Sequence, residues 1–225
     1  MAGDKPVLRV MRTKEEAQQS YDRLSRWYDL FSGSAELKMG IETLDLMKLP
    51  AGGTILEVGF GTGKLLLELI RRVGKNGHVY GVDLSNGMCR FARQRLGKAG
   101  ALDRVILMAG DGYRLPIAPG SVDGIFMGFT LELFDTPELM PVIEECMRVL
   151  KPGGQMGVVY LSASNRPGFA ERLYTKAHEL WPRLVDCRPI DPISLLAKVG
   201  FPYEKLIINK LWGLPVTQLV LEKKR

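Results

Sequence analysis

The sequence of 225 residues lacks several features that would place it in a special class of protein. No apolar run approaches the roughly 20 residues that a membrane-spanning helix needs. The three cysteines are odd in number and far apart, so they form neither a disulfide framework nor a metal-ligand pattern. The N-terminus is polar and of mixed charge, which is not the pattern of a secretory signal. We therefore expect a cytoplasmic protein without a metal site.

An excess of one charge is also largely missing. The formal net charge is +6, and the charges are spread along the chain rather than gathered in one block. Basic residues are not interleaved with aromatic ones in the manner of an RNA-binding protein, so no nucleic-acid partner is expected. A mildly basic chain is attracted to anionic membrane surfaces, so peripheral membrane contact stays open. The oligomeric state stays open as well.

The most informative stretch runs from Thr54 to Lys64, TILEVGFGTGK. Thr54 to Val58 reads as a buried strand, three alternate glycines follow, and a leucine-rich helix begins after them. A strand, a glycine turn and a helix form the first half of a nucleotide-binding unit, in which the ligand approaches bare backbone. The dinucleotide pattern G-x-G-x-x-G would need glycine at Lys64. A nicotinamide site and a turn without a ligand remain the alternatives for this stretch alone.

The next strand ends in an acid at the distance that ribose recognition requires. His78 to Val82 reads as the second strand, and Asp83 follows it. An acid roughly 20 residues beyond a glycine loop can accept hydrogen bonds from both ribose hydroxyls. Ser85 is a natural N-cap for the following helix. The alternative is a solvated carboxylate at a strand end.

Strands and helices continue to alternate along the chain, which favours a doubly wound α/β sheet. Residues 104–108, 121–126 and 155–161 read as the third to fifth strands, and residues 203–209 and 215–221 as a final antiparallel pair. A capping box at 13–16 and a pattern over 35–49 predict two N-terminal helices. The expected organisation is an N-terminal helical lid over 1–50 within the same domain as a core over 51–225. The sheet is expected to have seven mostly parallel strands.

Four ordered segments resemble the motifs of class I S-adenosylmethionine-dependent methyltransferases. They are E-x-G-x-G-x-G from Glu57, D-x-S-x-x-M from Asp83, G-D-x…L-P from Gly110, and R-V-L-K-P-G-G from Arg148. The segment Tyr21 to Asp29 is similar to the lid of the ubiquinone/menaquinone C-methyltransferase-like (methyltransferase type 11) group. The fourth motif is expected to be a turn without chemistry.

The resemblance implies S-adenosylmethionine as the cofactor and a Rossmann-like sheet with the last strand between two others. It implies that the Asp111 carboxylate accepts a hydrogen bond from the adenine amino group, and that the backbone N–H of Gly112 donates one to a ring nitrogen. The residues that it places at the cofactor are Tyr21, Tyr28, Glu57, Gly59, Gly61, Gly63, Asp83, Leu84, Met88, Asp111, Gly112, Gly128 and Phe129. The tyrosines and Met88 are equally compatible with a core position.

The methyl group of this cofactor is already activated, so the protein has chiefly to align the reactants and exclude water. A carbon or oxygen acceptor also needs a base. Glu132, in the loop after the fourth strand, and His178, on a late helix, are the candidates. Each is also compatible with an ordinary structural role, so the catalytic residue stays unassigned.

The acceptor is less well determined. The loop Gly128 to Phe134, GFTLELF, differs from the Gly-, Leu-, Arg- and Asn-rich loop of quinone methyltransferases of this group. Aromatic residues on the first N-terminal helix and on a late helix that runs to Trp181 suit a small apolar or aromatic acceptor such as a quinol, a lipid headgroup or a metabolite, unless they belong to the core. The late helix carries two neighbouring stripes of side chains, Phe169-Leu173-Ala177-Leu180 and Tyr174-His178-Trp181. A non-catalytic cofactor-binding protein and an oxidoreductase remain alternatives.

Overall fold

The computed structural model describes residues 16, 18, 34–164, 166–181, 187–198 and 203–224. Glu16 and Gln18 are helical. The remainder of the predicted first helix, with Tyr21 and Tyr28, lies outside the described residues. The domain division at residue 50 therefore stays a prediction.

The described chain alternates helices and strands as the sequence indicates. The helices are α1 (Ser34–Leu46), α2 (Lys64–Val73), α3 (Asn86–Lys98), α4 (Thr136–Val149), α5 (Phe169–Leu180) and α6 (Ile193–Lys198). The strands are β1 (Thr54–Val58), β2 (His78–Asp83), β3 (Val105–Ala109), β4 (Val122–Gly128), β5 (Leu150–Leu161), β6 (Tyr203–Leu211) and β7 (Leu214–Glu222). Short 3₁₀ turns cover Leu102–Arg104 and Leu131–Leu133. Among these helices, none combines the length and the apolar character that crossing a bilayer requires.

The seven strands form one sheet in the order β3-β2-β1-β4-β5-β7-β6. The first five are parallel, whereas β7 is antiparallel to both β5 and β6. The predicted seven-stranded, mostly parallel sheet is confirmed, including the position of the last strand between two others. Because the strand order reverses between β1 and β4, a crevice opens at their carboxyl ends.

Both faces of the sheet are covered, which explains why the central strands are apolar on both sides. One hydrophobic cluster joins the sheet to α4 and α6, and the other joins it to α1, α2 and α3. Buried strands have no room for polar side chains except where those side chains find partners or reach a strand end.

The segment Lys151 to Gly154 differs from the sequence-based expectation. The sequence predicts a turn here, but the segment belongs to β5. Gly153 donates to the carbonyl of Lys223, and Lys223 donates to that of Gly154. The β4–β5 register shifts between Val122 and Gly124, so the strand passes the K-P-G-G sequence through an irregularity rather than stopping there.

Asp123 fastens the amino ends of three central strands. Its Oδ2 accepts a 2.8 Å hydrogen bond from the backbone N–H of Thr54 at the start of β1. Its Oδ1 accepts one of 2.7 Å from the Lys151 ammonium on β5. Burial raises the pKa of Asp123, but these bonds outweigh that effect, so the pKa lies below its ordinary value. The carboxylate is therefore more stable in the folded than in the unfolded chain.

We expect Asp123→Asn to lower the free energy of unfolding by about 1 kcal/mol at pH 7, because the charge on these bonds is lost. A carboxyl with a lowered folded pKa stabilises the fold above its unfolded pKa and loses that effect as the pH falls through the folded value. The difference between wild type and variant in urea unfolding should therefore narrow below about pH 4. Asp103→Asn, at an exposed position, is the control. An undiminished difference in acid would contradict this account.

Candidate functional site

The loops after β1, β2, β3 and β4 meet at the carboxyl edge of the sheet. Gly59, after β1, donates a 2.7 Å hydrogen bond to the carbonyl of Val82 on β2. Gly110, after β3, donates one of 2.9 Å to the carbonyl of Asp83. Backbone bonds thus hold three consecutive loops side by side, and the motif residues come together although they are far apart in sequence.

The glycine loop needs glycine for two different reasons. Gly59, Gly61 and Gly63 all have positive φ angles, of 73°, 53° and 79°. A β-carbon on Gly59 would lie 2.3 Å from the side chain of Thr130, and one on Gly63 would lie 2.9 Å from Ala92. A β-carbon on Gly61 would meet no atom within 4 Å. Gly59 and Gly63 therefore allow close packing, whereas Gly61 borders open space that a ligand can use.

Asp83 links the glycine loop to the start of α3. Its Oδ2 accepts a 2.8 Å hydrogen bond from the N–H of Gly61, and its Oδ1 accepts one of 2.9 Å from the N–H of Ser85. Ser85 in turn caps α3, since its Oγ accepts from the N–H of Met88 at 3.0 Å. Leu84 is half-buried and Met88 is buried. The acid is thus fixed in orientation at the mouth of the crevice.

Glu57 is a second acid at this edge, and it is almost completely buried. Burial raises its pKa well above the ordinary value, and the nearby charge of Asp83 raises it further. Within the described residues, its Oε2 has no hydrogen-bond partner. A buried carboxyl oxygen without a partner is costly, so a ligand with a positive charge or a donor group would stabilise it. This fits the cationic cofactor that the motifs imply.

The loop after β3 forms an aromatic wall beside the crevice. Tyr113 donates its N–H to the Oδ1 of Asp111 at 3.2 Å. Its ring meets that of Phe134 edge to face, with centroids 5.9 Å apart. A β-carbon on Gly112 would lie 2.8 Å from the Phe134 ring. The buried Gly112 therefore lies directly against the Phe134 ring, and the half-buried Asp111 lies next to it in the chain.

The loop after β4 carries the last two residues of the predicted cofactor set. Gly128 ends β4, and Phe129 has a φ angle of 51°, which is unusual for a residue with a side chain. The N–H of Phe129 donates to the carbonyl of Val159 at 2.7 Å, and Thr130 Oγ1 donates to that of Gly128 at 3.0 Å. These bonds hold the strained backbone at Phe129 in place, and its half-buried ring packs against the hydrophobic cluster of α1, α2 and α3.

The two candidate bases have different surroundings. Glu132, in the 3₁₀ turn after β4, is inaccessible to solvent, and its Oε1 accepts a 3.2 Å hydrogen bond from the N–H of Leu161 at the end of β5. It is therefore not a surface loop acid. His178 is buried on the inner side of α5. It lies on a packed face of that helix.

Arg188 lies at the same edge, and sequence reasoning gave it no role. It is inaccessible to solvent, and its Nη2 donates a 2.6 Å hydrogen bond to the carbonyl of Phe134, two residues after Glu132. Next to it, Tyr174 Oη donates to the carbonyl of Cys187 at 3.0 Å. An arginine in an irregular segment gives no periodic signal, so only the fold reveals that it is buried.

A methyltransferase-domain family matches residues 55–154, the stretch that carries all four loops. Among curated proteins, the demethylmenaquinone methyltransferase of Listeria welshimeri is 33% identical over 163 residues, which are 72% of this chain and 66% of that protein. The one from Geobacillus kaustophilus is 32% identical over 166 residues, 74% of this chain and 68% of that protein. The chain thus spans about two thirds of the length of these relatives.

Solved structures match over a larger share of the chain. An S-adenosylmethionine-dependent methyltransferase from Aquifex aeolicus has a TM-score of 0.65 and 21% identity, covering 90% of this chain and 97% of its own. The [4+2]-cyclase SpnF has a TM-score of 0.75 and 18% identity, covering 94% and 96%. At such identities the likeness establishes the fold alone, and this fold carries more than one activity.

We expect Gly61→Ala to weaken S-adenosylmethionine binding at least about tenfold, because the new methyl group enters the open space beside the loop. Gly120→Ala is a matched control: Gly120 also has a positive φ, of 57°, and open space around its β-carbon, but it precedes β4 at the other end of the strand. Both variants should lose about 1 kcal/mol of stability to backbone strain. If titration calorimetry gives the two variants equal affinities for S-adenosylmethionine, the open space at Gly61 is not part of the cofactor site.

Proposed function

Because the chain belongs to the S-adenosylmethionine-dependent methyltransferases, the family of the demethylmenaquinone methyltransferases, we propose that it methylates a quinol-type aromatic acceptor. The family and cofactor predicted from the motifs are confirmed at this level. The observation that carries the proposed acceptor is the identity of 33% to relatives with that name. The oxidoreductase alternative is not favoured, because the family is one of methyltransferases.

We propose that the cofactor lies across the three loops at the carboxyl edge. Asp83 would accept from the ribose hydroxyls with the lone pairs that the Gly61 and Ser85 N–H groups leave over. Glu57 would face the positively charged portion of the cofactor, since its buried Oε2 has no partner among the described residues. Asp111 and Gly112 would hold the adenine against the Phe134 ring. When bound, the cofactor supplies a methyl group on a cationic sulfur, which needs no further activation by the protein.

The remaining residues of the predicted set are assigned to the walls of this site. Leu84 and Met88 follow Asp83, and Gly128 and Phe129 border the glycine loop through Thr130, whose side chain lies against Gly59. Gly63 turns the chain into α2. Tyr21 and Tyr28 stay assigned to the lid by resemblance alone.

The acceptor is proposed to lie beyond the cofactor, next to the loop after β4. The half-buried Phe129 offers aromatic surface there, and Glu132 and Arg188 lie behind it. Methylation of a ring carbon requires removal of the proton from that carbon. We assign this proton to the Glu132 carboxylate, because this acid lies in the loop after β4, next to the proposed acceptor, whereas His178 lies on α5. The hydrogen bond from Leu161 holds the carboxylate in one orientation.

A quinol with a prenyl chain dissolves in lipid rather than in water. An enzyme for such a substrate has to take it from a membrane, and this extends the proposal to peripheral membrane contact. The net charge of +6 favours approach to an anionic surface.

The proposal is tested with methyl-labelled S-adenosylmethionine and a reduced naphthoquinone that carries a short prenyl chain. We expect the label in the organic phase, on a ring carbon, and at least about tenfold less label with the Gly61→Ala variant at a cofactor concentration below the wild-type Kd. With a cell extract in place of the quinol, label on water-soluble molecules would contradict the quinol acceptor and favour a polar metabolite. Absence of label from both phases, with cofactor binding intact, would favour a non-catalytic binding protein.

We expect Glu132→Gln to lower kcat at least about 100-fold, because the amide keeps the hydrogen bond from Leu161 but cannot take up a proton. The affinity for the cofactor should stay within about twofold of wild type. Glu144→Gln, at an exposed position of α4, should leave kcat unchanged. A kcat close to that of wild type would show that Glu132 only positions the loop.

A further inference from the structure

The outer face of helix α5 exposes large apolar side chains to solvent. Phe169 is 83% exposed, Leu173 60% and Leu180 59%, and Trp181, just beyond the helix, is 58% exposed. The three helical residues lie four and seven positions apart, so they share one face of the helix. Soluble proteins seldom leave such a stripe uncovered unless it binds something.

The inner face of the same helix carries buried polar side chains beside Ala170 and Tyr174, which pack against the hydrophobic cluster of α1, α2 and α3. Glu171 and His178 are buried, and Glu171 Oε1 accepts a 2.8 Å hydrogen bond from the N–H of Ser164. The helix therefore exposes three large apolar side chains that a helix with its whole apolar side toward the core would bury. Since the helix packs against β7 and buries Glu171 and His178, the outward position of these apolar side chains is a property of the fold.

Trp212 extends this face beyond the helix. It forms the β6–β7 turn, is 69% exposed and has a φ angle of 52°, which is costly for a bulky side chain. A β-carbon on the next residue, Gly213, would lie 3.2 Å from the Cβ of Ala170 in the first turn of α5. Phe169, Leu173, Leu180, Trp181 and Trp212 together are called the α5 surface below.

Basic residues accompany the apolar ones. Arg172 and Lys176 lie on the exposed side of α5, Arg166 precedes the helix and Lys210 precedes Trp212, and all four are exposed. On this helix the one exposed acid is Glu179. Aromatic and aliphatic side chains bordered by lysine and arginine are typical of helices that lie in the boundary between the headgroups and acyl chains of a bilayer.

The α5 surface lies at the edge of the sheet that carries the candidate site. Leu161, the last residue of β5, pairs with Val216 near the start of β7. The turn with Trp212 therefore lies at the carboxyl end of β5, and α5 begins eight residues beyond that end. The α5 surface and the crevice therefore lie at the same edge of the sheet.

We propose that the α5 surface docks the protein on the headgroup boundary of an anionic phospholipid bilayer. The role of this docking rests on the proposed function: a lipid-soluble acceptor would reach the crevice from the bilayer without crossing water. A second copy is a poorer occupant, since a twofold contact would bring Arg172 and Lys176 of both copies together. RNA is poorer as well, because Leu173 and Leu180 have no aromatic ring on which a base can stack.

The test is sedimentation of the full-length protein with vesicles, without cofactor or acceptor. We expect binding to phosphatidylcholine vesicles with about 30% phosphatidylglycerol and at least about tenfold weaker binding to pure phosphatidylcholine. Raising the salt from about 0.1 M to about 0.5 M should weaken the first interaction. Absence of binding to the anionic vesicles would overturn the proposal.

Two variants locate the contact, and each has a matched control. The first is a triple variant that should weaken vesicle binding at least about tenfold, with the substitutions Phe169→Ser, Leu173→Ser and Trp212→Asn. Ile106→Ser, at an apolar residue that is 55% exposed on the opposite edge strand β3, should not. Arg172→Glu with Lys176→Glu should also weaken binding at least about tenfold, whereas Arg93→Glu with Lys98→Glu on α3 changes the net charge equally and should have a smaller effect.

Other occupants of the α5 surface give different results. If binding depends on net charge alone, both charge variants weaken it equally, and the surface is not the contact. Light scattering tests for a self-interface. If wild type is a dimer and the variant at Phe169, Leu173 and Trp212 is a monomer, the surface joins two copies and the proposal is overturned. Binding of single-stranded RNA that competes with vesicles would overturn it as well.

Methyl transfer to a water-soluble acceptor analogue separates this inference from the proposed function. Variants of the α5 surface should keep that activity and lose activity on an acceptor embedded in vesicles. Vesicle binding without any methyl transfer would leave the docking surface in place and overturn the function.

Discussion

Strands β1, β4 and β5 are covered on both faces of the sheet, and this burial determines where the protein can carry polar groups. A polar side chain in such a strand has to find a partner or reach a strand end. Asp123 does the first at the amino ends and fastens three strands. Glu57 and Asp83 do the second at the carboxyl ends, beside the open space at Gly61. The structural acid and the two acids of the candidate site thus occupy opposite edges of the same sheet.

The two acids at the carboxyl edge have different surroundings. Asp83 accepts hydrogen bonds from two backbone N–H groups. Glu57 is almost completely buried, and its burial together with the charge of Asp83 raises its pKa. A site with two neighbouring carboxyls favours a cationic ligand. The cofactor of this family is a cation, so the electrostatics and the family membership agree. The same pair would disfavour the pyrophosphate of a dinucleotide.

The proposed chemistry and the proposed docking surface use one edge of the molecule. Glu132 and Arg188 are buried behind the loop after β4, and the apolar face of α5 lies outward from the end of β5. A helix that buries Glu171 and His178 while exposing Phe169 is explained if its outer side meets an apolar medium. Access to a lipid-soluble acceptor and closure of the crevice against water would then be two effects of the same orientation.

The sequence by itself determined the parts that depend on local chemistry. Positive φ angles require glycine at 59, 61 and 63, strand ends place Asp83 and Asp111, and the alternation of elements predicts the sheet. These follow from backbone sterics and periodicity, which neighbouring residues suffice to define. Only the tertiary structure decided that Glu132 and Arg188 are buried, that Lys151 to Gly154 continues a strand, and that the apolar side of α5 faces outward. Burial depends on which distant elements pack together, and helical periodicity identifies a face without saying what lies against it.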